Sequence, residues 1–81
     1  MPYYVYVLKS VAFGTHYIGS TADIMKRLHE HNLGKCQYTK GRRPWILIHS
    51  ETFDTLIKAR KRERYLKSGK GRETLRKIIV K

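Results

Sequence analysis

Glu63 stands where a carboxylate has no ordinary reason to be. Leu56, Ala59, Glu63 and Leu66 recur at spacings of three and four, so they share one face of a helix. Lys58, Lys61, Arg62 and Arg64 fall elsewhere around it. A lone carboxylate on an inward face costs stability unless something pairs with it. Arg60 or Lys67, at helical spacing, would make an ordinary ion pair; metal binding or acid–base work is the chemical alternative. The chain has six carboxylates, and Asp23, Glu30, Glu51, Asp54 and Glu73 are accounted for by caps or exposed faces. Any metal site must therefore lean on Glu63. Arg27 and His31, four apart on an earlier helix, lean over one edge of a sheet. Tyr4 and Tyr6 point to one face of a strand and Tyr3 to the other. Each of these taken alone has a plain explanation: a solvated helix, or a core tyrosine with a satisfied hydroxyl.

The elements that must position these groups follow from pattern. Tyr3 to Lys9 is β-branched and aromatic with almost no polar break, a strand buried on both faces. Ser10 to Thr15 turns the chain into a short second strand, His16 to Gly19, for an antiparallel hairpin. Ser20 or Thr21 caps a helix from Ala22 to Asn32, with Gly34 past its end and Ile24, Met25 and Leu28 as its apolar stripe. Gly34 to Pro44 reads as a basic loop, and Trp45 to His49 as a third strand extending to Phe53. Asp54 caps a helix from Thr55 to Ser68, and Arg72 to Ile79 forms a last short one packing Leu75, Ile78 and Ile79 on the sheet. The order β-β-α-β-α-α predicts an α/β (α+β) fold, a small three-stranded antiparallel sheet flanked by helices, in one domain over residues 1–81.

Charge narrows the partner. Eighteen Lys and Arg against six Asp and Glu give a net charge of +12, the footprint of a protein that binds phosphate backbones. No apolar run approaches the roughly 20 residues of a membrane span, so no membrane partner is expected. The absence of an export signal at Met1-Pro2-Tyr3-Tyr4 predicts a cytoplasmic protein. One cysteine, Cys36, excludes an internal disulfide and, with four scattered His, argues against a structural zinc site.

Together the spacings resemble the GIY-YIG nuclease superfamily. Tyr4-Val5-Tyr6 and Tyr17-Ile18-Gly19 resemble its two strand motifs, Arg27 its helical arginine, His31 the Tyr or His four further on, and Glu63 its metal-binding glutamate. The stretch Gly34 to Trp45 is similar to small single-domain bacterial members, and the likeness covers nearly the whole chain. Tyr4 stands where the superfamily name has glycine. The resemblance implies a metal-dependent endonuclease on DNA, in repair or processing, with one Mg²⁺ or Mn²⁺ on Glu63. It implies catalytic roles for Tyr6, Tyr17, Arg27, His31 and Glu63. Arg27 would clamp the phosphate and Tyr17 would act as general base. Tyr6 would position the water, and His31 would orient a tyrosine or shuttle a proton. A free tyrosine titrates near 10, so Tyr17 would need Arg27 and the metal to lower it. Lys35, Lys40, Arg42, Arg43 and Lys67 are expected to track the nucleic-acid backbone, with Tyr38 stacking on a base. Trp45, opening an apolar strand, is expected in the core. The superfamily's larger members add domains that choose DNA, so a protein partner could supply that choice here. The alternative is a DNA- or RNA-binding module, or a ribosome-associated protein, that keeps the fold and cleaves little by itself.

Overall fold

Alternation along the first strand divides its side chains between two cores. In β1 (Tyr3–Ser10), Val5 and Val7 point one way, Tyr6 and Leu8 the other, and all four are buried. This is possible because β1 is the central strand of the sheet, whose order is β2-β1-β3 in this computed structural model, which describes residues 1–79. β2 (His16–Thr21) pairs antiparallel with β1, setting Tyr6 opposite Gly19 and Leu8 opposite Tyr17. β3 (Trp45–Phe53) pairs antiparallel on the other side, with an irregularity between Val7 and Leu8.

Helices cover both faces. Tyr6, Leu8 and Trp45 pack with Tyr17 and with Ile24 and Leu28 of α1 (Ile24–Leu33). Val5, Val7 and Ile18 pack with Ala59 and Leu66 of α2 (Leu56–Lys67) and Leu75 of α3 (Gly69–Ile79). Burying each large apolar side chain contributes on the order of 1.5–3 kcal/mol, and these two clusters hold the three layers together. The β-β-α-β-α-α order and the three-stranded antiparallel sheet agree with the sequence pattern.

The differences lie at element ends. Asp23, not Ser20 or Thr21, caps α1 by accepting from the Lys26 N–H, because β2 runs on to Thr21. Thr55 caps α2 through the Lys58 N–H, while Asp54 pairs with the Lys58 ammonium. α3 begins at Gly69 rather than Arg72. Gly71, which looks like a breaker, is where α3 lies against the Tyr65 carbonyl with no room for a Cβ. Met25 is exposed and leaves the α1 stripe to Ile24 and Leu28. Of the three apolar residues expected from α3, Leu75 and Ile79 join the core cluster. The basic loop contains a short 3-10 turn, Lys40–Arg42.

Candidate active site

β2 is an edge strand, and its alternation sends neighbours to opposite faces. Tyr17, opposite Leu8, projects on the α1 side; Ser20, opposite Val5, projects on the α2 side. The Tyr6 ring reaches the same edge by lying across Gly19, where any Cβ would overlap the phenol. Groups from both faces thus meet at one open edge.

On the α1 side a buried row of hydrogen bonds fixes the aromatic groups. The Tyr6 hydroxyl bonds His31 Nε2 at 3.0 Å, and His31 Nδ1 bonds Thr39 Oγ1 at 2.7 Å. His31 therefore bridges the two hydroxyls, one ring nitrogen donating and the other accepting. The Trp45 indole N–H donates to the Thr39 carbonyl at 2.9 Å, which pins the loop to the core where Trp45 was expected. Tyr17 sits edge-on to His31, with ring centroids 4.9 Å apart. Arg27 pairs with Glu30 at 3.1 Å and faces the Tyr6 oxygen.

On the α2 side Glu63 accepts from the Ser20 hydroxyl, and the Lys67 ammonium donates to it at 2.7 Å. The ordinary ion pair is therefore present, with Lys67 rather than Arg60. That same ammonium lies 5.9 Å from the centroid of the Tyr17 ring. Lys67 links the carboxylate on one face to the phenol on the other, around the edge of β2.

Burial sets the protonation states. It pushes the Tyr6 hydroxyl up to about 12, with Arg27 pulling the other way. Burial also raises Tyr17, and Lys67 and Arg27 do not offset it. The lowering expected from Arg27 is by itself outweighed, because removing a phenolate from water costs more than Arg27 and Lys67 return. His31 is lowered by burial and by Arg27, so its imidazole is neutral. Arg27 is raised by Tyr6 and Glu30 and stays charged. For Cys36, burial raises the thiol, but hydrogen bonds from Thr39 and Tyr38 and the charge of Arg27 win and leave it lowered.

The donor set suits one kind of metal ion. Glu63 is 22% exposed at its side chain and lines an open groove of about 300 Å³ with Arg60, Arg64 and Lys67. Among the described residues no group of three or more His, Cys, Asp and Glu could cage a metal. A hydrated hard cation on one carboxylate oxygen fits this arrangement, since Mg²⁺ keeps most of its waters. A zinc-type cage does not.

The structure brings Tyr6, Tyr17, Arg27, His31, Glu63 and Lys67 to the β2 edge, with Tyr38 5.8 Å from Tyr17 between ring centroids. It sets other loop cations apart: Arg42 lies over the Phe13 ring at 5.3 Å, and Arg43 donates to the Lys40 carbonyl. Lys35 and Lys40 are exposed on the loop. Tyr6 was expected to position a water, but it is 2% exposed and its hydroxyl is committed to His31. Sequence reasoning missed Thr39 and the bond from Ser20 to Glu63. The Ser20 bond had one signal: in a strand alternating with Val5, Ser20 shares the face that α2 covers.

A model of the GIY-YIG catalytic domain matches residues 2–77. The chain belongs to the GIY-YIG family. It is 46% identical over 77 residues to a UPF0213 protein of Syntrophus aciditrophicus, covering 93% of this chain and 87% of that one. A UPF0213 protein of Halobacterium salinarum is 42% identical over 66 residues, 80% of this chain and 84% of the relative. The solution structure of a UPF0213 protein from Bacillus halodurans superposes with a TM-score of 0.57 at 33% identity, over 96% of this chain and 85% of that one. The GIY-YIG domain is that of a nuclease superfamily, which points to a nucleic-acid substrate. No helix among the described residues is long and apolar enough to cross a membrane.

Proposed function

We propose that the chain is a metal-dependent endonuclease that hydrolyses DNA phosphodiester bonds in repair or processing, acting as one domain in the cytoplasm. The observation that carries this reading is the approach of Tyr17 and Glu63 from opposite faces to one edge, bridged by Lys67 beside a charged Arg27. Pure binding of phosphate needs no carboxylate there.

Glu63 would hold a divalent ion, Mg²⁺ or Mn²⁺, with Ser20 fixing the direction of the carboxylate. When bound, that ion supplies Lewis-acid stabilisation of phosphoryl charge. Arg27 receives a non-bridging phosphate oxygen, and its permanent charge meets the negative charge that grows in the transition state. Tyr17 takes the proton of the attacking water; as the new P–O bond forms, the bond to the leaving oxygen breaks, and that oxygen takes a proton from solvent. Burial raises this phenol, so the charges of Arg27 and of the bound ion would have to favour the ionised form that accepts the proton. Tyr6 and His31 act behind this front: the buried Tyr6–His31–Thr39 row holds Arg27 and Tyr17 in place. Lys35, Lys40, Arg42 and Arg43 track the backbone beyond the cleaved bond, and Lys67 sits beside it.

Plasmid nicking with Mg²⁺ or Mn²⁺ tests the reading. Wild type should nick, EDTA should stop it, and Glu63→Ala or Arg27→Ala should fall to background. Glu63→Ala should keep metal-independent DNA binding. Binding without metal-dependent nicking in the wild type would leave a nucleic-acid-binding module.

A further inference from the structure

Beside Tyr17, between β2 and the α2–α3 pair, lies a cleft of about 640 Å³ whose floor is Ile18, Leu66 and Leu75. Tyr17 and Tyr38 form its aromatic wall, and Lys67 and Arg72 stand at its rim. We propose that this cleft is a subsite for one extruded nucleobase next to the cleaved phosphate. The position beside the cleaved bond rests on the nuclease reading; the base-binding character does not.

The size is that of small-ligand pockets, roughly 300–1,000 Å³. An aliphatic floor would strip water from a phosphate and return no hydrogen bond, whereas a nucleobase offers flat, weakly hydrated faces. Tyr38 is 81% exposed, a ring held in solvent above that floor. Its centroid is 5.8 Å from that of Tyr17 with the planes 48° apart, too close and too tilted to sandwich a base. The base therefore lies against one face of Tyr38, over Ile18 and Leu75. Lys67 belongs to this cleft and to the groove that holds Glu63. A nucleotide seated in the cleft thus has its phosphate on the side where Glu63 lies. Bases inside a duplex cannot enter such a pocket, so the occupant comes from a single strand or is flipped from a duplex.

The test compares binding of short oligonucleotides with abasic strands of equal length, which keep every phosphate and lose every base. Affinities are measured in EDTA on the full chain, so no cleavage enters. Wild type should bind the base-bearing strand about tenfold or more tightly. That ratio should fall toward one in Tyr38→Ala, whose exposed ring does not hold the fold, and in Leu75→Phe, which fills the floor. Arg43→Ala should weaken both strands together and leave the ratio intact. A duplex arm carrying one 2-aminopurine distinguishes the sources. A fluorescence rise on binding means a flipped base; tight single-strand binding without it means a single strand, and either supports the subsite. A ratio near one in wild type overturns the proposal, as does a tenfold ratio that survives Tyr38→Ala. Nicking with a ratio near one would sink the subsite and leave the nuclease; a base-dependent ratio without nicking would do the reverse.

Discussion

On the α2–α3 face of the sheet, Val5, Val7, Ile18, Ala59, Leu66 and Leu75 bury aliphatic carbon against aliphatic carbon. On the α1 face, Tyr6, His31 and Thr39 are equally buried but carry oxygen and nitrogen joined in a row. No buried side-chain polar atom among the described residues lacks a partner, so the second core escapes the penalty of an unmet hydrogen bond. The difference teaches a division of labour. The dry face is non-directional and tolerates small shifts. The polar face is directional, its bonds of 3.0 and 2.7 Å depending on angle as well as distance, and it is the one that fixes Arg27 and Tyr17.

Substitutions can break that comparison in order of effect. Val7→Ala, in the dry core and away from the cleft, should cost about 2–3 kcal/mol in denaturant unfolding while leaving cleavage per folded molecule near wild type. Thr39→Val, in the polar core, leaves His31 Nδ1 without its hydrogen-bond partner and should cost about 1–3 kcal/mol. It should also slow cleavage about tenfold with an unchanged KM, and Thr39→Ser should restore the rate. Equal activity losses in both variants would dissolve the distinction.

Titration sharpens it further. With Tyr17 raised, cleavage should climb with pH from 7 to 9 without a plateau, and Tyr17→Phe should abolish the climb. A plateau near neutrality would hand the proton to another group. The smallest effect concerns stability. His31 is lowered on folding, so the unfolded chain binds its proton first and stability falls as pH drops through the unfolded value near 6.5. Glu51, lowered by its Arg62 bonds, adds a further loss at more acid pH, as its carboxylate protonates. Thermal unfolding at pH 7.5 and 5.5 should show a smaller difference in His31→Gln than in wild type.

Much of this was legible in the chain itself. Periodicity marked the three strands and the inward face holding Ala59, Glu63 and Leu66, and the scarcity of carboxylates singled out Glu63. Helix ends were less legible because caps depend on where the preceding strand stops: two more residues of β2 moved the cap of α1 to Asp23. Glu51 looked like an exposed carboxylate, yet Arg62, eleven residues on, holds it with two bonds at 2.8 and 3.2 Å. Thr39 carried no signal at all. A hydroxyl in a basic loop acquires its role only when the loop folds over His31 and Trp45.

Groups from both faces should share one divalent ion at the edge of β2. Mn²⁺ broadening of NMR signals tests it without relying on activity. Adding Mn²⁺ alone should broaden the signals of Ser20, Glu63 and Lys67 first and those of Tyr17 next, and Glu63→Gln should erase the effect. Broadening that centres away from β2, or persists unchanged in Glu63→Gln, would contradict the account.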